Sequence, residues 1–189
     1  MLYFTLVGDI YFRQIDHLLS ASKNSEQLFE AIVNAPFHNK IKATQMDLGI
    51  VVLLLVDKAK GTIDRIALSD TEQAAGAVKM SEKPFREIVI PLHYQGNAIA
   101  EAIDSGEPQS VTDWKHLFIP ALEPSAARFN QAGAGIEFSC VYPLQARDGG
   151  ALIFSFYQVG ANIGPKQRSF MRKYSDLASR YLREASGGD

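Results

Sequence analysis

The chain has a single cysteine, Cys140, and a single tryptophan, Trp114, among 189 residues. A lone cysteine excludes a disulfide within the chain and a zinc site built from several thiolates. An excess of charge of one sign is also missing: 19 Lys and Arg against 21 Asp and Glu leave a net charge of −2. Nucleic-acid binding usually shows as a strongly basic patch or stripe, so no nucleic-acid partner is expected. Long apolar runs are lacking as well. The longest, Ile50–Val56, has seven residues between Gly49 and Asp57. A membrane helix needs about 20, so this run reads as a buried strand and no membrane partner is expected. Met1–Gly8 has no basic segment and no small-residue cleavage site, which argues against a secretory signal. The expected location is cytoplasmic. The four histidines, His17, His38, His93 and His116, show no metal-ligand spacing. A glycine-rich dinucleotide fingerprint, a P-loop and a serine nucleophile elbow are all absent.

What remains is an ordinary globular composition, 47% apolar, at a length that suits one domain with appended helices. Repeats, low-complexity tracts and an interdomain linker are absent. A helix is predicted over residues 9–21, with Ile10, Ile15, Leu18 and Leu19 near one stripe. Asn24 followed by Gln27 is a capping-box variant that starts a second helix at Ser25; Pro36 marks its end. Gly49–Val56 and Thr62–Ser69 form a hairpin through Asp57–Gly61. Residues 70–84 read as an irregular loop, and Arg86–Leu92 as a third strand. In the segment Gly96–Pro108, Ile99, Ala102 and Ile103 share a helical face, and Gly106 can end that helix in the left-handed conformation. A strand over 109–113, a helix over 124–132, and a hairpin of 136–146 and 150–159 follow. Pro165 opens a C-terminal helix at its favoured first position. Short hairpins between successive strands predict a mainly antiparallel sheet and an α+β class.

At this point the chain resembles a GAF domain, the sensor module of cyclic-nucleotide phosphodiesterases, phytochromes and bacterial signalling proteins. Leu19–Ile32 resembles the first helix, loop and second helix of that family. Asn97–Pro108 with Val111-Thr-Asp113 resembles its helix ending in Thr-Gly-Glu-Pro and followed by Val-x-Asp, with Ser105 in place of Thr. Cys140-Val-Tyr-Pro-Leu144 and Gly149-Gly-Ala-Leu-Ile-Phe154 resemble its paired strands. The resemblance covers residues 17–184, preceded by a helical extension over 1–16 and followed by a flexible tail over 185–189. It implies a six-stranded antiparallel sheet. The terminal helices would cover one face, and short helices with pocket loops the other. It also implies a small-molecule ligand held between sheet and central helices, the family binding cyclic nucleotides, bilins, haem, amino-acid-like molecules or nothing. The implied function is a non-catalytic sensory or regulatory module. The alternatives are a ligand-free dimerisation or interaction module and an enzyme similar to the free methionine-(R)-sulfoxide reductase. That chemistry resolves a sulfenic acid through a second cysteine, which this chain lacks.

Asp113 and Trp114 stand at the edge of the expected pocket, as a carboxylate for ligand N–H groups and an indole for a planar ring. The competing reading has Asp113 capping the next turn and Trp114 filling the core. His116 could add a polar handle or be a solvated loop residue. Phe129, Phe138, Tyr142 and Phe156, with Cys140 and Phe154, form an aromatic-rich group that alternates along its strands. It either walls the pocket or belongs to the core. Arg86 and Arg128 are the candidates for an anionic ligand group. Cys140 lies in a strand, whereas bilin-binding relatives attach the chromophore from a helical segment. Asn39-Lys40 is present, but the Phe-x-x-x-Asp-Glu that accompanies it in cyclic-nucleotide-binding relatives does not follow. No metal site and no particular cofactor is indicated. The C-terminal helix shows two apolar stripes: Phe170, Tyr174, Leu177 and Tyr181, then Met171, Ala178 and Leu182. One stripe too many for the core predicts a homodimer through helices 9–21 and 165–185.

Overall fold

Capping residues set the element boundaries. Asn24 accepts the Gln27 N–H (2.9 Å), Asn39 the Lys42 N–H (3.1 Å), Thr71 the Ala74 N–H (3.2 Å) and Asn97 the Ile99 N–H (2.9 Å). Each satisfies a backbone donor that a helix start leaves without a partner. The helices so begun are α2 (Ser25–Asn34), α3 (Lys40–Gln45), α4 (Glu72–Lys79) and α5 (Ala98–Ser105). Gly106 ends α5 at φ 71°, where only a residue without Cβ is unstrained. The computed structural model describes residues 2–157 and 163–187, and for residues 2–9 only the backbone. Its remaining helices are α1 (Leu2–Ser20), α6 (Lys115–Phe118), α7 (Pro124–Ala134) and α8 (Pro165–Ser186).

The strands are β1 (Leu48–Asp57), β2 (Thr62–Leu68), β3 (Ile90–Pro91), β4 (Gln109–Val111), β5 (Phe138–Leu144) and β6 (Gly150–Phe156). They form one antiparallel sheet in the order β3-β2-β1-β6-β5-β4, as the α+β reading expects. Alternation along β1 divides the core in two. Ile50, Val52 and Leu54 face α4–α7, whereas Val51 and Leu53 face α1, α2 and α8. Burying each such side chain stabilises the fold by about 1.5–3 kcal/mol.

One irregularity in this sheet positions a buried charged residue. Leu53 pairs with Ala67 and Leu54 pairs with Arg65, so Ile66 is an extra residue without an opposite number. This β-bulge places both Arg65 and Leu68, three apart, on the α4–α7 side, where strict alternation would separate them.

Several expectations need correction. Residues 70–84 contain α4, and the chain also forms α3 and α6. The third strand contracts to Ile90–Pro91, because Phe85–Glu87 closes a 3-10 turn. The β6 hairpin arm ends at Phe156; residues 158 and 159 of the expected strand lie outside those described. Ser186 still belongs to α8, which therefore extends into the expected tail, and residues 188 and 189 lie outside those described. Helix α1 buries Tyr11, Ile15 and Leu19, while Ile10 and Leu18 are 45% and 40% exposed. The stripe that faces inward is thus rotated from the one expected. Its consequence reaches α8: Phe170, Met171, Tyr174, Ala178 and Leu182 are all buried within one chain. Tyr11 and Phe12 of α1 lie 6.1 and 5.8 Å from the Phe170 ring, and Tyr181 donates to the Asp16 carboxylate (2.9 Å). The second apolar stripe, on which the homodimer expectation rests, is largely covered by the chain's own first helices.

Candidate functional site

On the α4–α7 side a cavity opens between sheet and helices. Ile50, Val52, Arg65, Leu68, Ile153 and Ser155 form its floor. Ala77 and Val78 of α4 cover it, continued by Ser81, Phe85 and Ile88; Trp114, Leu117 and Phe118 close one side and Asn130 of α7 another. It encloses about 50 Å³, room for a few water-sized groups. Its wall is chiefly apolar and its polar groups are few, the usual character of small-molecule sites.

Trp114 is held in place from both ends. Its backbone N–H donates to Gln131 Oε1 (2.9 Å), and Gln131 Nε2 donates to the carbonyls of Thr112 (3.0 Å) and Ile136 (3.1 Å). Its indole Nε1 donates to Ser139 Oγ (2.9 Å), which lies 2.8 Å from Ser155 Oγ. The pocket wall is thereby joined by hydrogen bonds to β5 and β6. Without partners these buried groups would each cost about 1–3 kcal/mol. With its amide assigned in the orientation that satisfies its neighbours, Asn130 donates to the carbonyls of Met80 (2.9 Å) and Ala126 (3.2 Å), tying α7 to the end of α4. Lys83 Nζ donates to the Ala121 carbonyl (2.7 Å), a second tie across the roof.

Arg65 is the unusual member. It is 5% exposed, its guanidinium lies 4.4 Å from the Phe118 ring centroid and 5.8 Å from that of Phe85. Its hydrogen bond from Nη2 to the Leu117 carbonyl is long, 3.5 Å, and Nε has no partner. Burial pushes its pKa down to about 10, which leaves it charged at neutral pH. A buried cation without a counter-charge costs several kcal/mol, and aromatic faces offset only about 2.

Of the residues expected at the site, Trp114 lines the cavity. Asp113 is adjacent but turned away. Its carboxylate caps α6 through the Lys115 N–H (2.9 Å) and holds Arg128, whose Nε and Nη2 both approach to 2.9 Å. Burial acts to raise its pKa, but the Lys115 N–H and the Arg128 guanidinium outweigh that and lower it. His116 is exposed, and Phe129 is 60% exposed on the outer face of α7. Phe138, Tyr142 and Phe156 sit on the opposite side of the sheet, with Cys140 and Phe154, packed toward the terminal helices. The strand members of the aromatic group therefore belong to the core and their pocket-wall reading is corrected; Phe129 belongs to neither core nor pocket wall. Alternation separates the two sets, but only the neighbours reveal which set faces which helices. The pocket side carries Ser139 and Ser155 instead. Arg86 is exposed and Arg128 is engaged by Asp113; the guanidinium in the cavity is Arg65. A signal for it exists in β2, where Arg65 stands two residues from Ile63 on the strand's buried face. Among the described residues no cluster of His, Cys, Asp and Glu could hold a metal ion, and no helix is long and apolar enough to cross a membrane.

No protein-family model and no curated protein matches the sequence. Solved structures do match in three dimensions. The GAF domain of an Acinetobacter phosphoenolpyruvate-protein phosphotransferase superposes with a TM-score of 0.66 at 13% identity, covering 97% of this chain and 96% of that one. Residues 122 to 287 of a methyl-accepting chemotaxis protein give 0.60 at 14% identity, with 93% and 98% covered. A free methionine-R-sulfoxide reductase from Neisseria meningitidis, solved with its substrate, gives 0.59 at 11% identity, with 94% and 89% covered. At such identities the likeness concerns the fold: this chain has the GAF fold.

Proposed function

We propose that this GAF-fold chain is a non-catalytic sensory module. It binds a small molecule in the cavity between the sheet and α4, α6 and α7 and passes the occupied state to α1 and α8. The observation that carries the reading is the cavity itself, apolar, closed by Trp114 and anchored through Ser139 and Ser155 to the two central hairpin strands. Strand β6 is shared by both sides. Ile153 and Ser155 face the cavity, while Phe154 packs against Phe170 and Tyr174 of α8 at ring distances of 6.0 and 6.1 Å. A displacement of Trp114 thus has a short path through one strand to the terminal helix.

Chemistry is disfavoured by the same inventory. Among the described residues no cysteine, histidine, aspartate or glutamate lines the cavity, so they offer it no thiolate nucleophile and no carboxylate or imidazole for proton transfer. Cys140 lies across the sheet, its thiol pushed up by burial, which is the inert rather than the reactive state. The fold shared with the sulfoxide reductase therefore does not bring its chemistry with it. The second partner in this reading is another copy of the chain. The outer face of α1, where Ile10 and Leu18 stand beside His17 and His38, offers it an apolar strip at the terminal helices.

Native mass spectrometry of freshly purified protein, read together with Trp114 fluorescence, tests the sensory reading. A retained small molecule whose removal shifts the emission supports it. A chain that carries nothing, and whose emission no small molecule alters, leaves an interaction module instead.

A further inference from the structure

We propose that the molecule taken up by this cavity is a small monocarboxylate with an apolar tail, its carboxylate paired with the guanidinium of Arg65. The proposal rests on the reading of the cavity as a ligand pocket and adds the chemical class of its occupant. Four observations carry it. Arg65 is 5% exposed and lines the cavity, with Nε lacking any partner and Nη2 reaching only a carbonyl at 3.5 Å. Among the described residues no acidic side chain lines the cavity, so the charge is unopposed from within. The bulge at Ile66 keeps Arg65 and Leu68 together on the cavity floor, and such bulges re-aim side chains beside functional sites. Finally, fold stability gives no reason for a cation here, because an apolar residue of similar volume at a buried site is commonly neutral or stabilising.

The complement of a planar guanidinium fork whose Nε lacks a partner is a carboxylate held by two parallel N–H···O bonds. A phosphate matches that geometry too, but it would bring up to two charges to one cation in an otherwise apolar wall. The small volume, about 50 Å³, and the apolar surround of Ile50, Val52, Leu68 and Ile153 favour the singly charged group with a short hydrocarbon tail. The roof formed by α4 and the segment to Ile88 would move outward to admit it.

The test compares a charged and a neutral probe of the same shape: 3-methylbutanoate against 3-methylbutanamide, with inorganic phosphate as a third arm. Binding is followed by Trp114 fluorescence and by thermal shift. The expected result is a preference for the carboxylate over the amide on the order of tenfold or more. The preference falls to near unity in Arg65→Met, survives in part in Arg65→Lys, and is unchanged in Arg86→Met, which alters an exposed residue. Arg65→Met alone should melt at the same or a higher temperature, showing that the variant is folded. Equal binding of acid and amide, or a preference that persists in Arg65→Met, overturns the carboxylate assignment and leaves the pocket standing. So does a neutral molecule found bound to the purified chain. Tighter binding of phosphate than of 3-methylbutanoate overturns it as well. If neither organic probe nor phosphate binds, the assignment fails; if the chain also retains nothing, the pocket reading falls with it.

Discussion

Tyr11 illustrates how a single side chain couples this fold to pH. Its hydroxyl donates to the Pro36 carbonyl (2.6 Å), and burial pushes its phenol well above the ordinary value of 10.0. Tyr174, wholly buried and bonded to the Ile32 carbonyl, is shifted in the same direction by burial and by Tyr11. In the unfolded chain both phenols ionise near pH 10, whereas in the folded chain they stay protonated. The unfolded state then holds fewer protons, so stability falls as pH rises past about 10. We expect Tyr11→Phe to be less stable by about 1 kcal/mol at pH 7 and to lose stability more slowly than the parent above pH 10. Urea denaturation at a series of pH values reads both; parallel pH curves would show that Tyr11 does not contribute. At this scale the sequence was partly legible. Asn24 and Gly106 announced a helix start and a helix end because a cap needs only local partners. Arg65 was equally visible on the buried face of its strand, yet its lack of a counter-charge depends on residues far away in the chain.

Helix α4 shows what periodicity misses. Its sequence, Glu72-Gln-Ala-Ala-Gly-Ala-Val-Lys79, has small residues where a strong apolar stripe would be sought. It packs not by inserting large side chains but by bringing its backbone close to α7. A Cβ placed on Gly76 would lie 2.3 Å from the Gly133 carbonyl oxygen, and one on Gly133 would lie 2.4 Å from Met80 Cγ. Gly76→Ala should gain about 0.5–1 kcal/mol of helix propensity. The overlap should cost more, for a net loss of about 1–3 kcal/mol. Because Ala77 and Val78 roof the cavity, the same variant should also weaken ligand binding. A Gly76→Ala protein with an unchanged or higher urea midpoint would show that α4 and α7 separate freely. The faces of β5 and β6 were hidden for a related reason. Alternation fixes which residues travel together, and only the covering helices decide which way they travel.

For the whole molecule, the two faces of one sheet carry different layers. The terminal helices enclose a large aromatic core; the central helices enclose a small cavity. That the aromatic strand residues lie under the terminal helices was not expected; helices on both faces and the antiparallel sheet were, because hairpin signals and apolar runs are local in sequence. The surface left for self-association was not, since it depends on how α1 rotates against α8. With the α8 stripes largely covered, Ile10 and Leu18 of α1 are the exposed large apolar residues of the terminal helices among the described residues. We expect sedimentation equilibrium to give a mass that rises with concentration above the 20.8 kDa of one chain, and Leu18→Glu to hold it there. A single species of that mass at high micromolar concentration would remove the dimer.

The bulge in β2 bears on how this chain can change in length. In a regular strand, losing one residue turns every following side chain to the other face. Ile66, however, is a residue that the ladder skips: Leu53 already meets Ala67, and Leu54 already meets Arg65. Loss of Ile66 would close the ladder into uninterrupted pairs and leave Arg65, Ala67 and Leu68 on the sides they now occupy. The second strand is therefore a point where a deletion during divergence need not turn the fold inside out, and where sequences one residue shorter can keep the same charged group over the same hollow.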